Sequence, residues 1–256
     1  MRLTMAETIT AKHSADSGHW YEPDGKPAYT IIGKNGVERS TTLRDARKLG
    51  LVPSVTTILG CASKPQLTNW MIDQNILSCL TLSRNENETE QEYIARIKAD
   101  AQEQAKKARE RGTFIHAVVQ SGFENQPLTQ DDYPFYESAR NSLSSEVGEQ
   151  EWTCEKPFAT ERYGGKADIH NSHYLIDFKT TDKEVDGLKL WEDHYMQLAA
   201  YRCGLGISDA KCGILYINSK TAESRLIWAD EKELVKGLKC FNALLDYWYA
   251  KSGLGE

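Results

Sequence analysis

Residues 165–181, GKADIHNSHYLIDFKTT, constrain the fold more than any other part of the sequence. Apolar and polar side chains alternate on either side of residues 171–172, an Asn-Ser pair that favours turns, so the stretch predicts a two-stranded hairpin. With that turn, Asp168, Asp177 and Lys179 share one face of the hairpin. The opposite face collects four side chains suited to a core: Ile169, Tyr174, Ile176 and Phe178.

The predicted register makes the two acids of this hairpin diagonal neighbours. It pairs Asp168 with Leu175 and leaves the Cα atoms of Asp168 and Asp177 about 7–8 Å apart. Two carboxylates at that spacing suit one divalent cation, which prefers oxygen ligands. A lysine beside such a site can orient the attacking water and stabilise the negative charge that develops on a phosphate. The same pattern also fits an exposed hairpin with polar residues on its solvent side.

Further polar residues lie near this hairpin in the predicted elements. RGTFIH puts Gly112 and His116 one helical turn apart, and a glycine there allows close approach of another group. QLAAY places Gln197 and Tyr201 four residues apart on one helix face. Glu155, on the preceding strand-like stretch, is a third carboxylate. Each feature alone is equally typical of simple packing. A basic stretch precedes His116: Lys106, Lys107, Arg109 and Arg111.

The N-terminal third of the sequence predicts a hairpin followed by helices. Residues 19–32 are expected to form a hairpin around a Pro-Asp-Gly turn. A short helix should begin after Thr42 and end at Gly50. A second helix should begin at the capping-box spacing of Ser63 and Gln66, with Pro65 early in the helix.

The rest of the chain changes from helical to strand-like periodicity. A polar loop over 83–92 precedes a long helix over 93–123, and another helix lies near 131–147. Strand-like segments fill 151–180, followed by a helix around QLAAY, two strands and a terminal helix. This order predicts a single α/β or α+β domain with a helical N-terminal section.

Charge and cysteine content narrow the functional classes. The net charge of −6 does not favour nucleic-acid binding by bulk electrostatics, although metal-binding carboxylates add negative charge and a local basic patch is enough to bind DNA. The six cysteines include no C-x-x-C pair, which argues against a zinc knuckle. We expect small buried side chains, with no disulfides and no iron–sulfur cluster.

The sequence also predicts a location. No apolar stretch approaches the roughly 18 residues that a membrane span needs. The first 20 residues lack the apolar segment of a signal peptide. We therefore expect a cytoplasmic protein without a membrane partner.

Several motifs, taken in order, resemble the RecB-like branch of the PD-(D/E)XK nuclease superfamily. They are GTFIH, the acid of CEKPF, GGKAD, LIDFKTT and QLAAY, over roughly residues 110–205. Upstream, PSVTTIL and KPQLTNWM are similar to phage-encoded and mitochondrial genome maintenance exonucleases of this branch, and GHWYEPDGKPAY to phage exonucleases in particular. The resemblance implies a restriction-endonuclease-like central mixed sheet flanked by helices. It would form one nuclease domain over 1–256, in which 1–92 precede a catalytic core over 93–256.

The resemblance also implies roles for individual residues. Lys179 would orient the attacking water, and Glu155 would bind the metal or support its ligands. Gln197 and Tyr201 would hold DNA or the catalytic lysine. The cofactor would be Mg²⁺, with Mn²⁺ as a substitute. Its ligands would be three side chains: His116, Asp168 and Asp177.

The function implied is a DNA exonuclease that acts on DNA ends in phage recombination or replication, beside a single-strand annealing or single-strand-binding protein. Trp70 is a candidate for stacking on a base, or else a core residue. The basic stretch before His116 would contact phosphates, or else be a solvated helix face. Two alternatives stay open: a structure- or sequence-specific endonuclease of the same fold, and a non-catalytic DNA-binding module. Cleavage polarity and strand preference are not determined by the sequence.

Overall fold

The computed structural model of the protein describes residues 18–255. The first 20 residues, which were considered above for a signal peptide, lie outside this range except for residues 18–20. The N-terminal part consists of short elements: β1 (Trp20–Tyr21), β2 (Thr30–Ile32), β3 (Glu38–Ser40), α1 (Leu43–Leu49), β4 (Val52–Pro53) and α2 (Val55–Leu59). Three longer helices follow: α3 (Pro65–Thr81), α4 (Glu90–Phe123) and α5 (Tyr133–Val147). The C-terminal part contains β5 (Thr153–Cys154), β6 (Pro157–Ala159), β7 (Gly164–Lys166), β8 (Ile169–His170), β9 (Tyr174–Thr181), α6 (Glu192–Gly204), β10 (Lys211–Asn218), β11 (Ser224–Trp228) and α7 (Glu231–Ser252).

A five-stranded mixed sheet forms the centre of the molecule, in the order β11-β10-β9-β8-β5. Strands β9 and β10 are parallel, and the other neighbours are antiparallel. A parallel pair needs a crossover connection, which α6 provides. The predicted α/β fold with a central mixed sheet and flanking helices is confirmed. Across residues 18–255, no helix is both long enough and apolar enough to cross a membrane.

Helices cover both faces of the sheet, so β9 is buried on both sides. One face packs against α2, α6 and α7 through side chains that include Leu175, Leu198, Tyr216 and Phe241. The other face packs against α4 and α5 through side chains that include Ile115, Leu143, Ile176 and Phe178. Successive residues of β9 therefore enter different cores, whereas the sequence predicted a core on only one of these faces.

The capping signals in the sequence were right for α1 and wrong for α3. Thr42 caps α1 in a reciprocal box with Asp45, and Gly50 ends the helix with φ 65°. Helix α3 begins at Pro65 after Lys64, and no side chain caps it. The proline defines the first helical position because its ring fixes φ, so the predicted Ser63 box does not form.

The start of α4 lies inside the predicted polar loop. Thr89 accepts a hydrogen bond from the backbone N–H of Glu92, and the Glu92 carboxylate accepts one from the backbone N–H of Thr89. This capping box lets the helix begin at Glu90, before its first apolar residue.

The predicted N-terminal hairpin is only partly formed. The turn is present, with Tyr21 bridging Pro27 in antiparallel fashion. Beyond the turn the strands diverge, since β1 pairs with β4 and β2 pairs with β3.

All six cysteines are free thiols. Cys212 is buried, but Cys79 and Cys203 are exposed, so the prediction of buried cysteines was wrong for these two. Cys79 lies on α3, where only Ser78 is buried, and this helix offers little interior to its side chains.

Candidate active site

The hairpin turn lies one residue later than the sequence suggested. Asn171 accepts hydrogen bonds on its side chain from the backbone N–H groups of His173 and Tyr174, which closes the turn at Ser172-His173. Ile169 therefore pairs with Ile176. The partner shifts by two residues, and because side chains alternate with a period of two, the predicted faces survive the error.

This register aligns three acids across neighbouring strands. Continuing the β8–β9 pairing by one residue sets Asp168 opposite Asp177. The backbone N–H of Glu155 donates to the carbonyl of Asp168 at 2.9 Å, which sets Glu155 opposite Asp168 on the other side. Adjacent strands are separated by about 4.8 Å. We call Glu155, Asp168 and Asp177 the acid row.

Asp177 lies at the buried end of the acid row, in contact with a lysine and a glutamine. Lys179 Nζ is 2.5 Å from Asp177 Oδ2 and 3.0 Å from Gln197 Oε1. Gln197 Nε2 donates to Asp177 Oδ1 at 3.0 Å and to the hydroxyl of Tyr201 at 3.1 Å. One amide therefore fixes both the carboxylate and the ammonium, and α6 holds that amide.

Asp168 contacts a histidine from the opposite face of the sheet. Its Oδ1 lies 3.5 Å from Nδ1 of His116, and its Oδ2 accepts the backbone N–H of Phe178 at 2.5 Å. Helix α4 can bring His116 this close because Gly112 packs against β9. A Cβ at Gly112 would lie 2.8 Å from Oγ1 of Thr180. The close approach expected of this glycine is confirmed.

The environments of the two central acids push their pKa values in opposite directions. Burial raises the pKa of Asp177 above its usual value, and the neighbouring Lys179 only partly offsets that. Burial also acts on Asp168, but the hydrogen bond from His116 and the Phe178 amide outweigh it and lower the pKa of Asp168. Divergent pKa values in a pair of acids are typical of sites where the two groups have different tasks.

The pKa values of the two basic groups rise. Burial lowers the pKa of Lys179, but Asp177 reverses this and raises it above the usual value. Burial likewise lowers the pKa of His116, and Asp168 raises it more. Lys179 is therefore a cation at neutral pH, held between carboxylates.

The donor atoms of this site fit a hard divalent cation. Carboxylate oxygens are the ligands that Mg²⁺ and Mn²⁺ prefer. Asp177 Oδ2 is buried, and its partner is the Lys179 ammonium at 2.5 Å. In the described part of the chain, no three His, Cys, Asp or Glu side chains converge closely enough to hold an ion together. Asp168 and Asp177 lie opposite each other on adjacent strands, so this pair is the candidate for binding one.

Glu155, the third acid of the row, turns away from the other two. Its φ of 46° is unusual for a residue with a side chain. The side chain pairs with the ammonium of Lys166 and not with His116 or Asp177. The register brings Glu155 beside the site, where its carboxylate is paired with Lys166.

The basic stretch on α4 is exposed and largely paired within the helix. Lys107 lies 2.8 Å from Glu103, and Lys106 lies 3.7 Å from Glu110. Arg111 packs over the rings of two phenylalanines and donates to a backbone carbonyl beyond β10. We call Lys106, Lys107, Arg109 and Arg111 the basic face of α4.

Trp70 is far from the acid row along the helices. It is half-buried and lines a groove of about 230 Å³ between α3 and α4, together with Lys98 and Ala101. Ala101 precedes His116 by 15 residues, which corresponds to roughly 22 Å along α4. Much of α3 is apolar and exposed: Leu67, Met71, Ile72, Ile76, Leu77 and Leu80. Trp70 belongs to none of the three hydrophobic clusters of the described residues, and its stacking on a DNA base stays a prediction.

Sequence reasoning missed the glycines that let aromatic rings enter the site. A Cβ at Gly165 would lie 2.8 Å from the ring of Tyr201, and one at Gly164 would lie 2.5 Å from the ring of Tyr21. The adjacent glycines in YGGKAD were the available signal, since glycine in a strand often marks a close approach.

A second missed neighbour is Asp193, one helical turn before Gln197 on α6. Its Oδ2 lies 3.7 Å from the ammonium of Lys64. The spacing of four residues from Gln197 was the available signal, because residues four apart share a helix face.

Comparison with known proteins adds little. No protein-family model matches the chain, and no curated protein does. A solved structure from Eubacterium rectale, provisionally assigned as an exonuclease, is 14% identical with a TM-score of 0.39, over 57% of this chain and 69% of that one. An alkaline exonuclease from Laribacter hongkongensis is 12% identical with a TM-score of 0.30, over 73% of this chain and 98% of that one. Likeness this weak leaves the function to be argued from the residues themselves.

Proposed function

We propose that this protein is a metal-dependent DNA exonuclease that hydrolyses phosphodiester bonds from DNA ends. The observation that carries the proposal is the meeting of Lys179, Asp168 and Asp177 on one face of the sheet, with Gln197 holding Lys179 and Asp177 together. A buried acid pair beside a fixed cation has no evident structural purpose, because isolated buried charges cost several kcal/mol each. The motif order shared with RecB-like nucleases supports the same function.

The side chains of the site would divide the work. Lys179 would orient the attacking water and stabilise the negative charge on the reacting phosphate. Gln197 would keep the lysine in position, with Tyr201 fixing the amide through its hydroxyl. Asp168 would stay ionised with the help of His116.

Mg²⁺, or Mn²⁺ in its place, would be held by Asp168 and Asp177, with His116 as the third candidate. When bound, the ion supplies a Lewis acid that lowers the pKa of water and polarises the phosphate. The two carboxylates lie opposite each other on adjacent strands, which supports their binding one ion together.

The substrate would be DNA with a free end, processed in the cytoplasm during phage recombination or replication. A single-strand annealing or single-strand-binding protein would be the natural partner, because end resection exposes single strands.

A cleavage assay tests the proposal. DNA labelled separately at its 5′ and 3′ ends would be incubated with Mg²⁺, Mn²⁺ or EDTA, beside single-stranded, duplex and covalently closed circular DNA. We expect linear DNA to be degraded only with metal, circles to survive, and Asp177→Ala to be inactive. Asp131→Ala is the matched control, since Asp131 is an exposed acid between α4 and α5.

Each of the other outcomes would indicate a different function. Cut circles would indicate an endonuclease of the same fold. Binding without cleavage, unchanged in Asp177→Ala and in EDTA, would indicate a non-catalytic DNA-binding module. The label released first from linear DNA would give the polarity.

The metal ligands are tested without turnover. Titration of Mn²⁺ in a calorimeter, with no DNA present, should show binding that Asp177→Asn abolishes and His116→Ala weakens by about 10–100-fold, as for other lost metal-site groups. Unchanged affinity in His116→Ala would reduce His116 to a partner of Asp168.

A further inference from the structure

A polar cluster beside the acid row has no role in the function proposed above. Lys166 is the last residue of β7, and its ammonium contacts the carboxylate of Glu155. The Lys166 and Glu155 side chains are each 29% exposed. Lys166 precedes Asp168 by two residues, and Glu155 is the outer member of the acid row. The pair is therefore open to solvent at the edge of the site.

The N-terminal strands form the far wall of this cluster. The Tyr21 ring rests on Gly164, and the Tyr21 hydroxyl lies 2.6 Å from the hydroxyl of Tyr29. Tyr29 stacks on the ring of His19 with 4.5 Å between ring centroids. Gly164 and Lys166 are two residues apart in β7 and share a face, so the Tyr21–Tyr29 pair lies on the same side of the strand as the Lys166 side chain.

The cluster adjoins the catalytic side chains through Tyr201. The ring of Tyr201 packs against Gly165, next to Lys166 in β7, and its hydroxyl bonds to Gln197. Across the sheet, Glu155 and Asp177 are separated by two strand spacings, about 10 Å. That distance is within reach of a phosphate that neighbours the one being cut.

We infer that Lys166 and the Tyr29 hydroxyl bind a phosphate of the DNA strand next to the phosphodiester that is hydrolysed. The inference rests on the proposed function. An ammonium group and a hydroxyl are usual phosphate partners, and such contacts set the register of the strand without reading its sequence. Glu155 holds the ammonium in place when DNA is absent, and the phosphate replaces it on binding.

The location of the other cations favours Lys166 for this task. Lys106 and Lys107 precede His116 by about nine or ten residues on α4, roughly 14 Å along the helix, and Lys179 is held by Asp177 and Gln197. Lys166 is partly exposed and lies beside the acid row. Its ammonium is paired with Glu155, the outer acid of that row. A strand that lies across the acid row therefore meets Lys166 at the sheet edge.

Binding of end-labelled DNA in EDTA, followed by fluorescence anisotropy over a series of NaCl concentrations, tests this without cleavage. Lys166→Gln should weaken binding about tenfold and reduce the salt slope by about 0.7–0.9, the loss of one phosphate contact. Tyr29→Phe should weaken binding less, about twofold to fivefold, because one hydrogen bond is lost. Lys236→Gln is the matched control, since Lys236 also pairs with a glutamate at 3.4 Å but lies on the outer side of α7.

Two further variants separate phosphate binding from a structural role. Glu155→Gln should strengthen binding, because it removes the carboxylate that competes for the ammonium. The double variant Glu155→Gln/Lys166→Gln should bind as weakly as Lys166→Gln. If the double variant recovers wild-type affinity, Lys166 serves only to neutralise Glu155 and the inference is wrong.

Different results would overturn the role of Lys166 and the proposed nuclease function. Wild-type protein that binds and cuts DNA, with Lys166→Gln equal to it in affinity and salt slope, overturns the inference and leaves the proposed function in place. Wild-type protein that neither binds nor cuts DNA overturns both. Far-ultraviolet circular dichroism of each variant shows that it is folded before it is compared.

Discussion

The acid row and the basic face of α4 were both predicted from the sequence to act on DNA, yet the structure builds them in opposite ways. Asp177 is 5% exposed and meets groups from β9 and α6, and Asp168 meets groups from α4 and β9. Lys106 and Lys107 are each more than 60% exposed and meet only glutamates one turn away on α4. Charges gathered from distant elements act on each other strongly, whereas exposed pairs along one helix are worth little.

The variant Lys179→Ala is the most severe test of the contrast between the acid row and the basic face of α4. Loss of the cation should reduce single-turnover cleavage by about 10²–10⁴-fold, the range seen when a positioned catalytic group is removed. DNA affinity in EDTA should stay close to wild type, since the ammonium is held by Asp177 and Gln197. Cleavage near the wild-type rate would remove Lys179 from the chemistry.

Gln197→Met asks whether the shared amide matters. Methionine keeps the length of the side chain but breaks the bonds to Lys179, Asp177 and Tyr201. We expect the single-turnover rate to fall about 10–100-fold, as it does when groups that orient catalytic side chains are lost. A Tyr201→Phe control removes only one of these bonds and should have the smaller effect.

Gly165→Ala sharpens the comparison by disturbing the packing beneath the site. The added methyl would lie 2.8 Å from both the Tyr201 and the Phe158 ring, and neither buried ring has room to move. We expect a loss of about 1–3 kcal/mol in the free energy of unfolding, measured by chemical denaturation. Phe158→Leu in the same chain should restore part of it, and no change in either variant would contradict this packing.

The acid row shows how far sequence reasoning reached. The faces of Asp168, Asp177 and Lys179 followed from alternation alone and survived a wrong turn position, because an error of two residues in pairing preserves the face. The helical spacing of Gln197 and Tyr201 placed both on the correct side. Local periodicity carries this information, so the sequence was sufficient.

Features that depend on distant contacts were not predictable. No local sequence signal predicts the positive φ of Glu155, since glutamate rarely adopts it. Nor does one predict that the Glu155 carboxylate pairs with Lys166. The packing of the Tyr21 ring on Gly164 is a contact between residues 143 positions apart in the sequence. The start of α3 was misplaced because the sequence offered both a Ser63 box and Pro65, and only the proline's ring was decisive.

Protonation of His194, a buried residue of α6 next to Asp193, should lower the free energy of unfolding at acid pH. Burial lowers the pKa of His194 to about 4, and the cations Lys179 and Lys64 add to this. The unfolded chain has the ordinary pKa of about 6.5. Stability is therefore fully present above pH 6.5 and falls as the pH drops from there toward 4, by about 2 kcal/mol at pH 5. Denaturation at several pH values should show that His194→Gln loses this part of the dependence.

The smallest expected effect belongs to the basic face of α4. In the double variant Lys106→Ala/Lys107→Ala, DNA affinity should change by less than about twofold, because Lys106 precedes His116 by ten residues, roughly 15 Å along α4 away from the acid row. The comparison to make is with Lys166→Gln in the same anisotropy experiment. A large loss with the α4 variant and none with Lys166→Gln would mean that exposed cations on the helix guide the DNA and that proximity to the acid row does not.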